Sequence, residues 1–198
     1  MTTGTFFEQY MMLENERVRL TPLKEADFET LEDIAYHPEI WRLGMSNLTG
    51  PEDLQEYIRT ALNERTNHLS YPFLIFDKQQ QKVAGSTRLG NISFAHKRLE
   101  IGWTWLHPSF HGSGLNKACK FLLLQFAFET LQFNRVEIKT DVLNNQSRKA
   151  ILKIGAKEEG IFRKHQVTAG GRVRDSIYFS IINDEWPSIR STIFKDLA

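Results

Sequence analysis

The sequence predicts an α/β (α+β) fold built on one mixed central sheet of about seven strands, flanked by helices. Three observations lead there. Seven stretches carry the period-2 alternation or short apolar run of a strand, and five carry helical spacing. Three strands follow one another before the longest helix, which a regular alternation of strands and helices does not allow. No internal repeat or low-complexity linker divides the chain, so 1–198 reads as a single domain, with 1–15 as an N-terminal extension.

The elements follow in order. Residues 1–15 have no clear period; Phe6, Phe7, Tyr10, Met11 and Met12 suit either a short helical cap or a homodimer contact. Glu16 to Leu23 alternates as a strand, with Val18 and Leu20 on one face and Pro22 near its end. Lys24 to Tyr36 repeats Phe28, Leu31, Ile34 and Ala35 at helical spacing and stops before Pro38. Pro51 to Arg65 is a second helix, opened by proline and two acids. Tyr71–Asp77, Lys82–Ile92 and Leu99–Leu106 are strands; in the last, Leu99, Ile101, Trp103 and Trp105 share a face, leaving Glu100, Gly102 and Thr104 on a polar one. Asn116 to Leu131 is apolar nearly all round and reads as a buried helix. Arg135–Asp141 is a strand, and Ser147–Ile154 a helix stopped by Gly155. Lys157–Val167 and Val173–Ile182 form a hairpin around Gly170-Gly171, and Glu185 to Leu197 closes the chain as a helix.

The bulk numbers exclude several classes of function. With 41% hydrophobic and 25% charged residues the composition is that of an ordinary globular protein. A net charge of +1 argues against nucleic acid as the dedicated partner. The single cysteine, Cys119, precludes an internal disulfide framework and fits a reducing compartment. The opening MTTGTFFEQYMMLEN lacks a secretion signal, and the longest apolar run, Phe121 to Phe128, is interrupted by Gln125 and too short for a bilayer. The expectation is a soluble, cytoplasmic protein with no membrane partner.

The informative turn is His111-Gly112-Ser113-Gly114-Leu115-Asn116, between a strand and the buried helix. Free N–H groups and the positive end of a helix meet there, which makes an anion site. A nucleotide P-loop is excluded because no Gly-Lys pair occurs in the chain, and a dinucleotide fingerprint because its third glycine is Lys117. A plain tight turn also accounts for the glycines. His107 and His111 stand four apart, but Pro108 prevents the helix that would join them, so no metal is expected.

From Glu14 to Trp186 the chain resembles the GNAT superfamily of N-acetyltransferases, in particular its RimJ/RimL-like branch. LENERVRLTPL, LEIGWTWLHPSFHGSGLNKA, FAFETLQFNRVEIKTDVLNNQSRKAILKIGAKEEG and GRVRDSIYFSIINDEW carry the resemblance. The family's Q/R-x-x-G-x-G/A loop falls on His111 to Asn116; it keeps Gly114 but has His111 for Gln or Arg and Asn116 for a small residue. The resemblance implies a mostly antiparallel sheet that splays at an acyl-CoA site. The cosubstrate is then acetyl-CoA, held by main chain at Trp103, Thr104 and Trp105, by the loop residues His111, Gly112, Ser113, Gly114, Leu115, Asn116 and Lys117, and by Asn144 and Arg148. Lys120 and Lys149 are further candidates for its phosphates, and solvated basic faces explain these cations equally.

The implied reaction moves an acetyl group to a primary amine, a protein N-terminal α-amine or a small-molecule amine, by direct attack in a ternary complex. At pH 7 roughly a tenth of an α-amine is neutral, so it demands little base catalysis. Glu100 is the candidate base, directly or through water; a structural salt bridge explains it as well. Asn144 and Ser147 start a helix, where capping is their plain role; the resemblance gives Asn144 to pantetheine and Ser147 to protonation of the departing thiolate, with Tyr178 as a fallback acid. Trp41, Tyr71, Phe73 and His165 are expected around the acceptor. The alternative function is a non-catalytic acyl-CoA-binding regulatory module, which would keep the loop and lose turnover.

Overall fold

The computed structural model describes residues 3–197. Its helices are α1 (Thr3–Glu8), α2 (Phe28–Ala35), α3 (Pro38–Trp41), α4 (Pro51–Thr66), α5 (Leu115–Gln125), α6 (Asn145–Lys153) and α7 (Trp186–Thr192). Its strands are β1 (Leu13–Glu14), β2 (Val18–Pro22), β3 (Ser70–Asp77), β4 (Lys82–Ser93), β5 (Arg98–Leu106), β6 (Arg135–Asp141), β7 (Lys157–Val167) and β8 (Val173–Ile182). They form one sheet in the order β1-β2-β3-β4-β5-β6-β8-β7. Every neighbouring pair is antiparallel except β5 and β6. The one strand beyond the expected seven is β1, two residues and so too short to carry a period.

Two cores sandwich the sheet. The larger joins α1, α5, α6 and α7 to the face bearing Leu99, Ile101, Val136, Ile138, Ile177 and Phe179. The smaller joins α2, α4 and Trp41 to Leu74 and Trp105 on the opposite face. α5 is buried nearly all round because it lies in the middle of the larger core, and a single π turn, Phe126–Thr130, carries it into the loop before β6. Gly155 ends α6 at φ +89°, with Ile189 and Ile193 packed where a side chain would go.

One open expectation is settled and another changes. The N-terminal segment is the short helical cap: Phe6, Phe7 and Met11 are buried in the larger core, leaving Tyr10 and Met12 exposed. The alternation in β5 breaks at Trp103, which adopts φ +51° in a bulge where the β4 register jumps from Ser86–Trp105 to Arg88–Gly102. Leu99 and Ile101 therefore face the larger core, Trp105 faces the smaller one, and the four do not share a face. The Trp103 ring lies across Gly90, where a Cβ would come within 2.4 Å of it.

Candidate active site

The parallel pair β5–β6 is the feature from which the site grows. It holds for three residues, Arg98–Arg135, Leu99–Val136 and Glu100–Glu137. Beyond them β5 stays with β4 and β6 stays with β8, so the two strands part and leave a cleft of about 750 Å³. The main chain of Ile101–Leu106 and Ile138–Thr140 borders this gap, offering an extended ligand the unpaired edge of two strands.

At one end of the cleft stands the glycine turn. Gly112 and Gly114 take φ +73° and +84° with open space around them, so it is the backbone angle and not crowding that calls for glycine. Ser113 fixes the turn: its hydroxyl donates to the Phe110 carbonyl at 2.7 Å and accepts the Leu115 N–H at 3.3 Å. The N–H groups of Gly112, Gly114, Asn116 and Lys117 make no hydrogen bond to another described residue. Four free donors therefore stand within six residues at the N-terminus of an eleven-residue helix. The Asn116 amide oxygen is buried nearby without a partner. The four free N–H groups, not this acceptor oxygen, are the donors that a pyrophosphate needs, and an acyl-CoA fits them. The side chain of Leu115 is core; it is the start of the helix, not its side chain, that belongs to the turn.

Along the side of the cleft, Asn144 caps α6, its Oδ1 accepting the Ser147 N–H at 3.0 Å. The cap turns the Asn144 amide and the Ser147 hydroxyl toward the cleft they both line. Arg148 points away, its Nη1 donating to the Val142 carbonyl at 3.3 Å, and it does not line the cleft; Lys149 and Lys153 do. Lys120 is buried under the turn and donates to Thr104 Oγ1 at 2.7 Å; burial pushes its pKa down to about 8. Cys119 beside it is core, with burial pushing the thiol up to about 12.

The floor is polar. Glu100, only 3% exposed, accepts on Oε2 from Lys139 Nζ at 2.9 Å and from Asn91 Nδ2 at 2.7 Å. Its Oε1 lies over Gly102, 3.0 Å from where a Cβ would stand. Trp41 lines the cleft from the other side, held by its Nε1 to the Ala35 carbonyl at 2.6 Å and by its ring against Trp105. His165 does not line the cleft; it packs against Phe162 and Tyr178 beside it, its Nε2 3.5 Å from the tyrosine hydroxyl, and borders a separate shallow pocket with Phe162, Arg163 and Lys164. Its pKa is lowered, first by burial and then by Lys139 and Arg174. Tyr71 and Phe73 are corrected: both are fully buried in the larger core, and the Tyr71 hydroxyl is used up by Gln9 O and Met11 N–H. They belong to β3, a strand apolar on both faces because it is paired on both edges and covered above and below. Lys139, Gln166 and Arg174 line the cleft and were not singled out from the sequence. Lys139 alternates with Val136 and Ile138 on β6, but Gln166 and Arg174 lie among other polar residues, where no alternation marks them.

The splayed parallel pair, the donor-rich turn and the capped helix beside it define an acyl-transfer class of protein. Residues 17–157 match the model of the family described as Acetyltransferase (GNAT) domain. The chain belongs to that family and is an acyltransferase. It is similar to the protein named "Putative ribosomal N-acetyltransferase YdaF" of Bacillus subtilis, with 35% identity over 104 residues; the match takes in 52% of this chain and 56% of that relative. The crystal structure of a GCN5-related N-acetyltransferase from Brucella melitensis superimposes with a TM-score of 0.85 at 26% identity, over 96% of this chain and 86% of that one. The ribosomal-protein-S5-alanine acetyltransferase from Vibrio fischeri shares the fold, with a TM-score of 0.72 at 20% identity over 89% and 98% of the two chains.

Proposed function

We propose that the protein is an acetyl-CoA-dependent N-acetyltransferase acting on a primary amine by direct attack in a ternary complex. The observation that carries the reading is the parting of β5 from β6 with the free N–H groups of the Gly112–Lys117 turn at the mouth of the gap. Bound acetyl-CoA supplies the thioester whose acyl carbon the amine attacks. In this reading the turn holds the pyrophosphate, the edges of β5 and β6 pair with the pantetheine arm, and Asn144 donates to it.

Glu100 takes the proton lost by the attacking amine, through water on its Oε1, since Oε2 already has two donors. Ser147, whose hydroxyl makes no hydrogen bond to another described residue, returns a proton to the sulfur as the C–S bond breaks. Alignment of amine and thioester supplies several kcal/mol of the rate, so a modest base suffices for an α-amine. The acceptor, a peptide N-terminus or a small amine, enters past Trp41.

Free-thiol release from acetyl-CoA by the purified protein, with peptides, polyamines, amino acids and amino sugars as acceptors, tests the proposal. Acceptor-dependent thiol and an acetylated amine by mass spectrometry are the expected results. Tight CoA binding with no acceptor-dependent release across the panel overturns it in favour of a binding module.

A further inference from the structure

On β8, Ile177, Phe179 and Ile181 point into the larger core, and Arg174, Ser176 and Tyr178 point to the opposite face. Cross-strand register puts Lys139 beside Tyr178, Asp141 beside Ser176 and Gln166 beside Arg174 on that face. Glu100, between the core residues Leu99 and Ile101, lies on the same face. α5 and the helix end of the glycine turn are on the other one.

Arg174 is 6% exposed and lines the cleft, yet its guanidinium makes no ion pair or hydrogen bond to another described residue. Its Nε is buried with no acceptor. The nearby carboxylates are already engaged. Asp141 pairs with Arg172 and accepts the Leu143 N–H, Glu100 is held by Lys139 and Asn91, and Asp175 accepts the Lys164 N–H. A guanidinium this far buried, with its end at the cleft and no carboxylate paired to it, leaves charged donors that a bound anion would take up. Beside it the amide oxygen of Gln166 and Nδ1 of His165 are also buried without partners. The position therefore presents a fixed cation together with uncommitted polar atoms, as an amine-bearing carboxylate would require.

Resting on the acetyl-transfer reading, we infer that Arg174 anchors a carboxylate of the acceptor. The favoured acceptors are then amines that carry a nearby carboxylate, either the free carboxyl of an amino acid or an acidic side chain next to a peptide N-terminus. The planar guanidinium fork matches a carboxylate bidentately, which a lysine cannot do.

Two matched pairs separate the sources: alanine against alaninamide for the free carboxyl, and Glu-Ala-amide against Gln-Ala-amide for the side chain. In the wild type kcat/KM should favour the acidic member of at least one pair by about tenfold or more, the scale of a charged hydrogen-bonded contact. Arg174→Met should bring that ratio near one, and Arg174→Lys should restore part of it, while the Kd for acetyl-CoA stays within about twofold. Because the guanidinium is unpaired, Arg174→Met should leave Tm equal or higher. A preference that survives in R174M, equal use of neutral and acidic amines by the wild type, or a fall in Tm without change of preference overturns the anchor. If acetyl-CoA binds but none of the four amines is acetylated, the transfer reading fails separately. The anchor is then decided by thermal shift with alanine and Glu-Ala-amide in the presence of CoA: stabilisation of the wild type but not of R174M supports it, and the same response from both overturns it.

Discussion

Glu100 and Lys139, 39 residues apart, meet across the floor of the cleft with Oε2 and Nζ 2.9 Å from each other. The contact is a consequence of the splay. Glu100 occupies the last paired position between β5 and β6, opposite Glu137, and Lys139 stands two residues past Glu137, where the strands have parted. The carboxylate is held at one oxygen and left open at the other, which is how a base that works through water would be fixed. Glu100→Gln keeps the shape and should lower kcat/KM by about 100-fold, the low end of what a positioned base contributes. Lys139→Met removes the partner of a carboxylate that is 3% exposed, so it should lower stability by about 3–5 kcal/mol as well as activity. Denaturant unfolding of both variants beside their kinetics checks this; full activity in E100Q removes Glu100 from the reaction.

Asn144 and Ser147 separate structure from chemistry at one helix end. The Asn144 side chain caps α6 and the Ser147 side chain bonds no other described residue. Asn144→Ala should therefore cost about 1 kcal/mol of stability and weaken acetyl-CoA binding. Ser147→Ala should leave Tm nearly unchanged and lower kcat by about 100-fold, the scale of a general acid. Tm, acetyl-CoA Kd and kcat measured on the two variants should show these opposite patterns.

Lys120 predicts a pH signature. Burial holds its ammonium near a pKa of about 8 against an ordinary 10.5. Below about pH 8 the charge is buried at the full penalty, on the order of 3 kcal/mol by the linkage between pKa and stability. Between about pH 8 and 10.5 the folded state loses the proton before the unfolded state does, so wild-type stability rises relative to a variant lacking the group. Lys120→Met should be the more stable protein at pH 7, with the gap closing as pH rises to about 10. Unfolding curves of both proteins at a series of pH values give the answer, and a constant gap counts against a charged Lys120.

What the sequence carried about this molecule was local. The start of α5 at Leu115 follows from a glycine turn running into an apolar helix, and the cap at Asn144 from a polar residue three before Ser147. Both are contacts within a few residues. Glu100 could be picked out as polar among apolar neighbours, but its partner lies on another strand and no local pattern points to it. The bulge at Trp103 is invisible to alternation because a tryptophan at φ +51° is rare, and that one residue sends Trp105 to the opposite core from Ile101. Tyr71 and Phe73 were placed by analogy of position; whether an aromatic on a central strand faces a cleft or a core depends on what covers it, here α1. Arg174 was missed for a related reason: its significance is the absence of a partner, which only the packed structure reveals.

Arg17 ties the glycine turn to the sheet. One guanidinium nitrogen pairs with Asp77 and the other reaches the Ser113 hydroxyl at 3.5 Å. Asp77 is fully buried, and burial opposes its charge, but Arg17 and the N–H groups of Gln79 and Gln80 outweigh it and hold the carboxyl below its ordinary value of 3.8. A carboxylate with a depressed folded-state pKa adds stability above the unfolded value and loses it as pH falls through the folded one. Asp77→Asn leaves Arg17 without its counter-charge and should lower stability at pH 7 by about 3 kcal/mol. It should also abolish the part of the acid transition that sets in below about pH 4. Since Arg17 then loses its fixed position next to Ser113, the turn should also loosen, raising the Kd for acetyl-CoA. Unfolding from pH 7 to pH 3 and titration with acetyl-CoA measure both effects; a D77N protein with the wild-type pH profile shows that the pair is not what holds the turn.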